Sequence, residues 1–365
     1  MRTQSRNAVV RGCIVILSVF KLEAGAKWNE IVESFECWDV YYLREYVDSL
    51  RVHGDGEPLL LLYEDPQVRF CYVVMMSDIA FAPVFQGRLE EGVLYDLETP
   101  YGYGGPLCDS MIPDASQQNF LAEFDEYCIA NGIVSQFVRF HPLLGNHDLL
   151  PAAIQTRYLH DTVYIDTSDK DGIFSNMDSK NRNMVRKAIR NGVHIEAAPL
   201  ADRSRFVELY NATMMRDDAD SYYYFSEDYF KALEKLGDRA QLFYAIYEGE
   251  AISASIMLLN QRFMHYHLSG SSYEPRSLAP STLLLYEAAL WAGEHGIATF
   301  HLGGGLTGED DLFRFKKKFN KNGRLPFFIG RTITNEGAYS KLLSLRQSFD
   351  REFDAGNARM IQYRA

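Results

Sequence analysis

Residues 300–319 read FHLGGGLTGEDDLFRFKKKF. A short apolar run, Phe300-His301-Leu302, meets three consecutive glycines, Gly303, Gly304 and Gly305. Glycines at the end of a strand permit positive φ or let the backbone approach a ligand closely. The acidic pair Asp310-Asp311 follows, and then Arg314, Lys316, Lys317 and Lys318 interleave with Phe313, Phe315 and Phe319. The pattern predicts strand, loop and amphipathic helix, with positive charge gathered beside aromatic surface. The whole chain carries a formal net charge of −12. The local reversal therefore points to an anionic ligand, or to a carbonyl oxygen that becomes negative during a reaction. Solvated lysines on an ordinary helix would give the same pattern, so the flanking segments must decide.

At 365 residues the chain exceeds one average domain, which predicts two. Its 47% hydrophobic and 24% charged content are those of a soluble globular protein. With 23 Tyr and 23 Phe there is enough aromatic surface for large cores and for lined clefts. The acidity argues against nucleic-acid binding through bulk charge, and leaves room for a local RNA-binding surface. The five cysteines, Cys13, Cys37, Cys71, Cys108 and Cys128, form no C-x-x-C pair and read as reduced thiols of a cytoplasmic protein. Arg2, Arg6 and Arg11 precede an apolar run over residues 13–20 that is too short to span a bilayer and has no clean cleavage site after it. This reads as a first strand behind a leader of about residues 1–12, with no stable membrane insertion.

Working outward, the same order of elements occurs twice. Strand-like runs at residues 59–63, 70–76 and 93–97 lead into Tyr101-Gly102-Tyr103-Gly104-Gly105-Pro106, a helix over 117–130, the cap Asn131-Gly132 and a strand over 133–140. Strand-like runs at 242–247, 251–259 and 263–268 lead into Ser269-Gly270-Ser271-Ser272, a helix over 281–294, Gly296 and a strand over 297–302. The pattern predicts antiparallel strands before each helix and a parallel strand after it. It implies divergent duplication, with one domain at 1–165 and another at 166–365 that ends in a helical tail. Between the halves, residues 178–192 read DSKNRNMVRKAIRNG. Asp178 or Ser179 caps a helix whose Lys180, Arg182, Arg186, Lys187 and Arg190 face no acidic residue, with Met184, Val185, Ala188 and Ile189 as its apolar stripe. Such a helix meets phosphates or is simply solvated. Arg216 and the cluster Tyr222-Tyr223-Tyr224-Phe225 follow, and four consecutive aromatics cannot all face one core.

These residues carry a resemblance. RNMVRKAIRNG at 182–192, FVELYNATMMR at 206–216, HLSGSS at 267–272, LLLYEAALWAGEHG at 283–296 and the HLGGG…LFRFKKKF block resemble the FemAB/FemX group of peptidoglycan-bridge aminoacyltransferases and the related BioF2-like acetyltransferases. The first half resembles the group through residues 101–107 and RFHPLLGN at 139–146. The resemblance implies a mixed α/β (α+β) fold of tandem GNAT-like acyltransferase domains, each a mixed central sheet flanked by helices. It implies acyl transfer to an amine, with aminoacyl-tRNA as donor substrate, a nucleotide-linked or peptide amine as acceptor, and no tightly bound cofactor. Lys316 then stabilises the oxyanion or the leaving oxygen, Phe315 holds the acyl end, and Asp310 or Asp311 accepts the proton of the nucleophile, although Asp311 also suits the helix cap. Lys317 and Lys318 read as solvated neighbours. Gly303, Gly304 and Gly305 admit the donor. Arg186, Lys187, Arg190, Arg216, Tyr101, Tyr103 and His267 are the further substrate-binding candidates.

One departure bears on the donor. Acetyl-CoA-dependent GNAT enzymes carry a loop close to Q/R-x-x-G-x-G/A whose amides bind pyrophosphate. Here Arg276-Ser277-Leu278-Ala279-Pro280-Ser281 lacks both glycines, and Pro280 removes an amide. This favours charged tRNA over acyl-CoA, which stays as the alternative donor, beside a catalytically silent binding module. His265 and His267 share a strand face as two metal ligands would, but no third ligand follows at a suitable spacing, so no metal site is expected.

Overall fold

The computed structural model describes residues 5–10, 13–85 and 87–365. The chain forms two compact units: one runs to Tyr158 and resumes at Phe328–Ala365, the other is Leu159–Phe327.

In the first unit β1 (Ser5–Val10), β2 (Cys13–Phe20), β3 (Glu57–Glu64), β4 (Arg69–Asp78) and β5 (Tyr95–Glu98) pair antiparallel in sequence order. Helices α1 (Ala26–Glu33) and α2 (Arg44–His53) lie in the chain between β2 and β3. Helix α3 (Asp114–Ala130) then carries the chain to β6 (Ile133–Arg139), which runs parallel to β5. Alternate strand residues Leu59, Leu61 and Tyr63 meet Phe120, Phe124 and Cys128, spaced four apart on α3. The leader expected over about residues 1–12 falls partly on 1–4, 11 and 12, outside the described residues; Ser5–Val10 is a strand. Cys37, Cys71, Cys108 and Cys128 are free thiols, and burial pushes those of Cys71 and Cys128 well up.

The second unit begins within β7 (Gln155–Asp166) and continues through α4 (Lys170–Ser175), α5 (Ser179–Arg190), β8 (His194–Pro199), α6 (Ser204–Arg216) and α7 (Glu227–Leu233). Strands β9 (Ala240–Tyr247), β10 (Glu250–Leu259) and β11 (Phe263–Ser271) follow, then α8 (Pro280–Glu294), β12 (Thr299–Gly303) and α9 (Asp311–Lys317). Strands β8 to β11 pair antiparallel, β12 joins β11 in parallel, and β7 closes on β12 antiparallel. Both units thus show the expected order, antiparallel strands, helix, parallel strand.

The closing strand of the first unit comes from the far end of the chain. The second half of β13 (Arg324–Ile333) pairs antiparallel with β6, and α10 (Glu336–Phe349) follows it. There Tyr339, Leu342 and Tyr363 form a core with Ile79, Phe85 and Val134. Asp96 accepts from Tyr363, from Ser135 Oγ at 2.8 Å and from Arg364 Nε at 2.7 Å. A split at 165/166 with the whole C-terminal tail in the second domain therefore differs from the observed division.

Helix α8 is apolar on nearly every side, which suits a helix inside a core. Leu283, Leu284, Leu285, Ala288, Ala289 and Ala292 are buried with Val185 and Ala188 of α5. Each leucine contributes about 1.5–3 kcal/mol by leaving water. The buried stripe of α5 is Asn181, Val185 and Ala188; Met184 is half-buried and Ile189 is exposed, so the expected 184–185–188–189 stripe is rotated toward residue 181. A Cβ at Gly270 would collide with the Leu209–Tyr210 backbone, so α6 packs on β11 at backbone distance. Among the described residues, no helix is long and apolar enough to cross a membrane.

Candidate functional site

At the end of β12 the chain turns through the glycine loop into α9. Gly303 has φ +76°, a conformation most side chains avoid. A Cβ at Gly304 would stand 2.5 Å from His160 Cε1, and one at Gly305 would collide with the Asp310 carboxylate. Asp310 caps α9. Its Oδ1 accepts from the Phe313 amide at 2.9 Å, and its Oδ2 from those of Leu306 at 2.6 Å and Thr307 at 2.9 Å. These amides hold the carboxyl below its usual range. The cap expected at Asp311 therefore belongs to its neighbour. Asp311 is fully exposed and accepts from Arg314 Nη2 at 2.7 Å.

The capped turn aims Lys316 inward. Only 7% of it is exposed, and its Nζ donates to the Gly304 carbonyl at 2.7 Å. The ammonium stands 5.7 Å from the centre of the Tyr266 ring, whose hydroxyl donates to Ser269 Oγ at 2.7 Å. Burial pulls the ammonium down to about 8, with Asp310 opposing the shift. Such a group is a cation at neutral pH that releases its proton within reach of it, and it is suited to meet developing negative charge.

Phe315 lies on a different face of α9 and lines a cavity of about 310 Å³ with Lys180, Asn181, Ser281, Thr282 and Lys318. The Asp178 amide donates to the Lys318 carbonyl at 2.8 Å, which joins the start of α5 to the end of α9. Helix α8 opens onto the same cavity from Ala279 at φ +58°, which gives it no side-chain cap. Lys318 is half-buried and lines the cavity, which corrects the expectation of a solvated neighbour. Of the basic helix, Lys180, with its neighbours Asn181 and Met184, lines the cavity. Exposed Arg186 lies 5.1 Å over the Phe174 ring and bonds Asn183, while Lys187 and Arg190 sit in the last turn, where they complement the helix dipole. Sequence reasoning missed Asn181, Ser281 and Thr282, none of which carries a charge to draw notice.

Arg216 Nη1 donates to the Ser271 carbonyl at 2.9 Å and its Nε pairs with Asp217 at 3.1 Å. It lines a second cavity of about 540 Å³ with Arg205, Glu208 and Glu250; Ser271 and Ser272 line both cavities. His267 is the bulged residue of β11, since Tyr266 pairs with Met257 and Leu268 with Ile256. Its Nε2 lies 3.1 Å from Tyr229 Oη, and burial with neighbouring His265 pulls its imidazole down to about 3. His265 packs beside His301, ring centres 5.6 Å apart. Of the aromatic cluster, Phe225 is buried and stacks on Tyr229 at 4.2 Å, while Tyr224 is exposed. Tyr101 and Tyr103 belong to the first unit. The Tyr101 carbonyl accepts from Tyr46 Oη at 2.5 Å, and the Tyr103 ring lies 5.7 Å from those of Tyr41 and His141.

Residues 179–317 match the family model of the acetyltransferase (GNAT) domain. No curated protein matches the chain in sequence. In fold it is similar to the crystal structure of FemX, with a TM-score of 0.66 at 15% identity over 87% of this chain and 97% of that one. It is similar too to the C-terminal domain of a putative lysylphosphatidylglycerol synthetase from Agrobacterium fabrum, with a TM-score of 0.54 at 12% identity over 90% and 95%. A tandem GNAT protein from the clavulanic acid biosynthesis pathway superposes with a TM-score of 0.51 at 7% identity over 86% and 98%. The tandem GNAT fold expected from the sequence is the fold of this chain, and the domain match supports the expected GNAT-superfamily acyltransferase.

Proposed function

We propose that the protein transfers an aminoacyl group from charged tRNA to an amine of a cell-wall precursor or similar nucleotide-linked or peptide acceptor, in the cytoplasm. The observation that carries the reading is the buried Lys316 ammonium, held by the Gly304 carbonyl at 2.7 Å on the helix that also lines the cavity. The acceptor nitrogen attacks the ester carbonyl carbon, and the oxygen of that carbonyl becomes an oxyanion. Lys316, itself buried, stabilises it from a fixed position. The carbon–oxygen bond to the ribose then breaks, and the ribose oxygen takes up a proton as the amine nitrogen loses one. Asp310 is occupied by three amides. Asp311 accepts from Arg314, and it is the carboxylate we assign to proton removal. Phe315 holds the acyl end, and the glycine loop leaves room for it. Exposed Arg186 and Arg190 with half-buried Lys187 offer a cationic face to tRNA phosphates, and Arg216 and His267 are further substrate contacts in the same unit; Tyr101 and Tyr103 are separate candidates within the first unit.

A second reading, acyl-CoA as donor, is favoured by the uncapped N-terminus of α8 at the cavity. Labelled amino acid on tRNA and labelled acetyl-CoA, each offered with an amine acceptor, separate the two. Transfer from tRNA alone supports the first reading. Transfer from acetyl-CoA alone overturns it in favour of the second, and transfer from neither removes both.

A further inference from the structure

Two polar residues of β7, His160 and Asp161, stand at the glycine loop and have no part in the acyl-transfer reading. A Cβ on Gly304 would stand 2.5 Å from His160 Cε1 and 2.9 Å from His160 Nδ1, so this edge of the imidazole lies against the Gly304 backbone. The ring is itself fixed. Its Nδ1 is 2.9 Å from the Asp161 carbonyl, which only accepts, so Nδ1 carries the proton and donates it there. The ring also packs on Phe327 of β13, with ring centres 5.3 Å apart. The Asp161 carboxylate accepts from Arg324 Nη1 at 3.2 Å, and Arg324 Nη2 pairs with Glu309, near the far end of the same loop. The guanidinium lies 5.2 Å over the ring of Phe313 on α9. Adjacent residues of one strand thus hold the loop at Gly304 and, through Arg324, at Glu309.

The loop needs holding because of its own sequence. Three consecutive glycines leave the backbone after β12 with wide conformational freedom. Yet the Gly304 carbonyl must keep one direction, since it accepts from Lys316 Nζ at 2.7 Å. Asp310 fixes the later part of the loop through the Leu306 and Thr307 amides. At Gly304 the imidazole edge occupies the space that a side chain would take.

We propose that His160 is a positioning residue for Lys316: its imidazole, locked on the Asp161 carbonyl, holds the Gly304 peptide so that the Gly304 carbonyl fixes the ammonium where the oxyanion forms. The proposal rests on the role assigned to Lys316 in acyl transfer. It goes beyond that role in naming a residue that acts through a backbone carbonyl and takes no proton in the reaction.

A double-mutant cycle, with a lysine titration beside it, tests the proposal. His160→Ala should lower kcat about ten- to a hundredfold with KM nearly unchanged, the scale of a displaced catalytic group. In a Lys316→Ala background the same substitution should lower kcat no further, whereas a general loss of packing would lower both alike. His160→Asn places a donor near the position of Nδ1 and should recover part of the rate; it also serves where His160→Ala folds poorly. The titration needs no turnover. Lysine is labelled at Cε with carbon-13, and the Lys316 signal is identified by its loss in Lys316→Arg. The wild-type midpoint near 8 should move up in His160→Ala toward that of a solvated lysine, as the ammonium leaves its buried place. An unchanged Lys316 midpoint in His160→Ala overturns the proposal, and so does an equal loss of kcat with and without Lys316. If Lys316→Ala is slow and His160→Ala is not, the role of Lys316 stands and the proposal alone falls. If Lys316→Ala turns over like wild type, that role fails, and a midpoint that still moves keeps His160 as the residue that places the ammonium.

Discussion

The Nζ of Lys316 donates to the carbonyl oxygen of Gly304 at 2.7 Å, across twelve residues of sequence. The bond links the loop after β12 to the helix that follows it. A cation in a buried place thus keeps one protein acceptor, and the loop keeps its course because Gly304 and Gly305 have no side chains.

Gly304→Ala tests that arrangement. The added methyl would stand 2.5 Å from His160 Cε1, so the loop or the imidazole must move. Overpacking of this kind costs about 1–3 kcal/mol. The denaturation midpoint should fall accordingly, and kcat should fall further than the stability loss explains, because the Lys316 anchor moves with the loop. Unaltered kcat with a lowered midpoint would leave the bond structural only.

The pH dependence of transfer should report Lys316. Its ammonium deprotonates near 8, so a role as cation predicts that kcat is sustained below that pH and falls as pH rises through it. Lys316→Arg keeps a charge throughout this range and should remove the fall, with lower activity from its different shape. A rate that rises through pH 8 would mean that the neutral amine is the working form.

Burial of the neutral His267 imidazole should lower the stability of the fold in acid. The free imidazole protonates near 6.5, the folded one only near 3. Between those values the unfolded chain binds more protons, so stability falls as pH falls from 6.5 toward 3. His267→Asn should flatten that part of the curve, measured by chemical denaturation across the window. An unchanged slope would show that His267 does not drive the loss.

The cationic face of α5 separates the two donors. Lys187→Glu with Arg190→Glu should raise KM for charged tRNA. The log–log salt dependence of tRNA binding should become shallower by about one for each phosphate that these side chains no longer neutralise. Folding should change little, since surface substitutions usually fall within about 0.5 kcal/mol. An unchanged KM for tRNA would leave these residues as dipole partners of their own helix.

Much of the second unit was legible because its chemistry is local. The apolar runs of β9 to β11, the leucine-rich α8 and the glycine triplet each follow short-range rules of period and turn. Legibility failed where long-range pairing decides. Pro326 in β13 argues against a strand within a sheet, yet the strand's second half closes the first unit on β6. β7 reads QTRYLHDTVYID, too polar for a core strand, and pairs with β12 from outside the repeat. Asp310 and Asp311 are adjacent acids, and one residue of register decides which is the cap. The rotation of α5 that buries Asn181 depends on how α8 packs against it, which no pattern within α5 specifies.

The central claim is that Lys316 stabilises charge that appears only in the transition state. Its most direct test is kcat for Lys316→Ala with the donor that wild type uses, measured beside donor affinity. The account predicts a fall on the order of 10²–10³ in kcat with donor affinity nearly unchanged. Wild-type turnover in Lys316→Ala, in a protein that still folds, would contradict it.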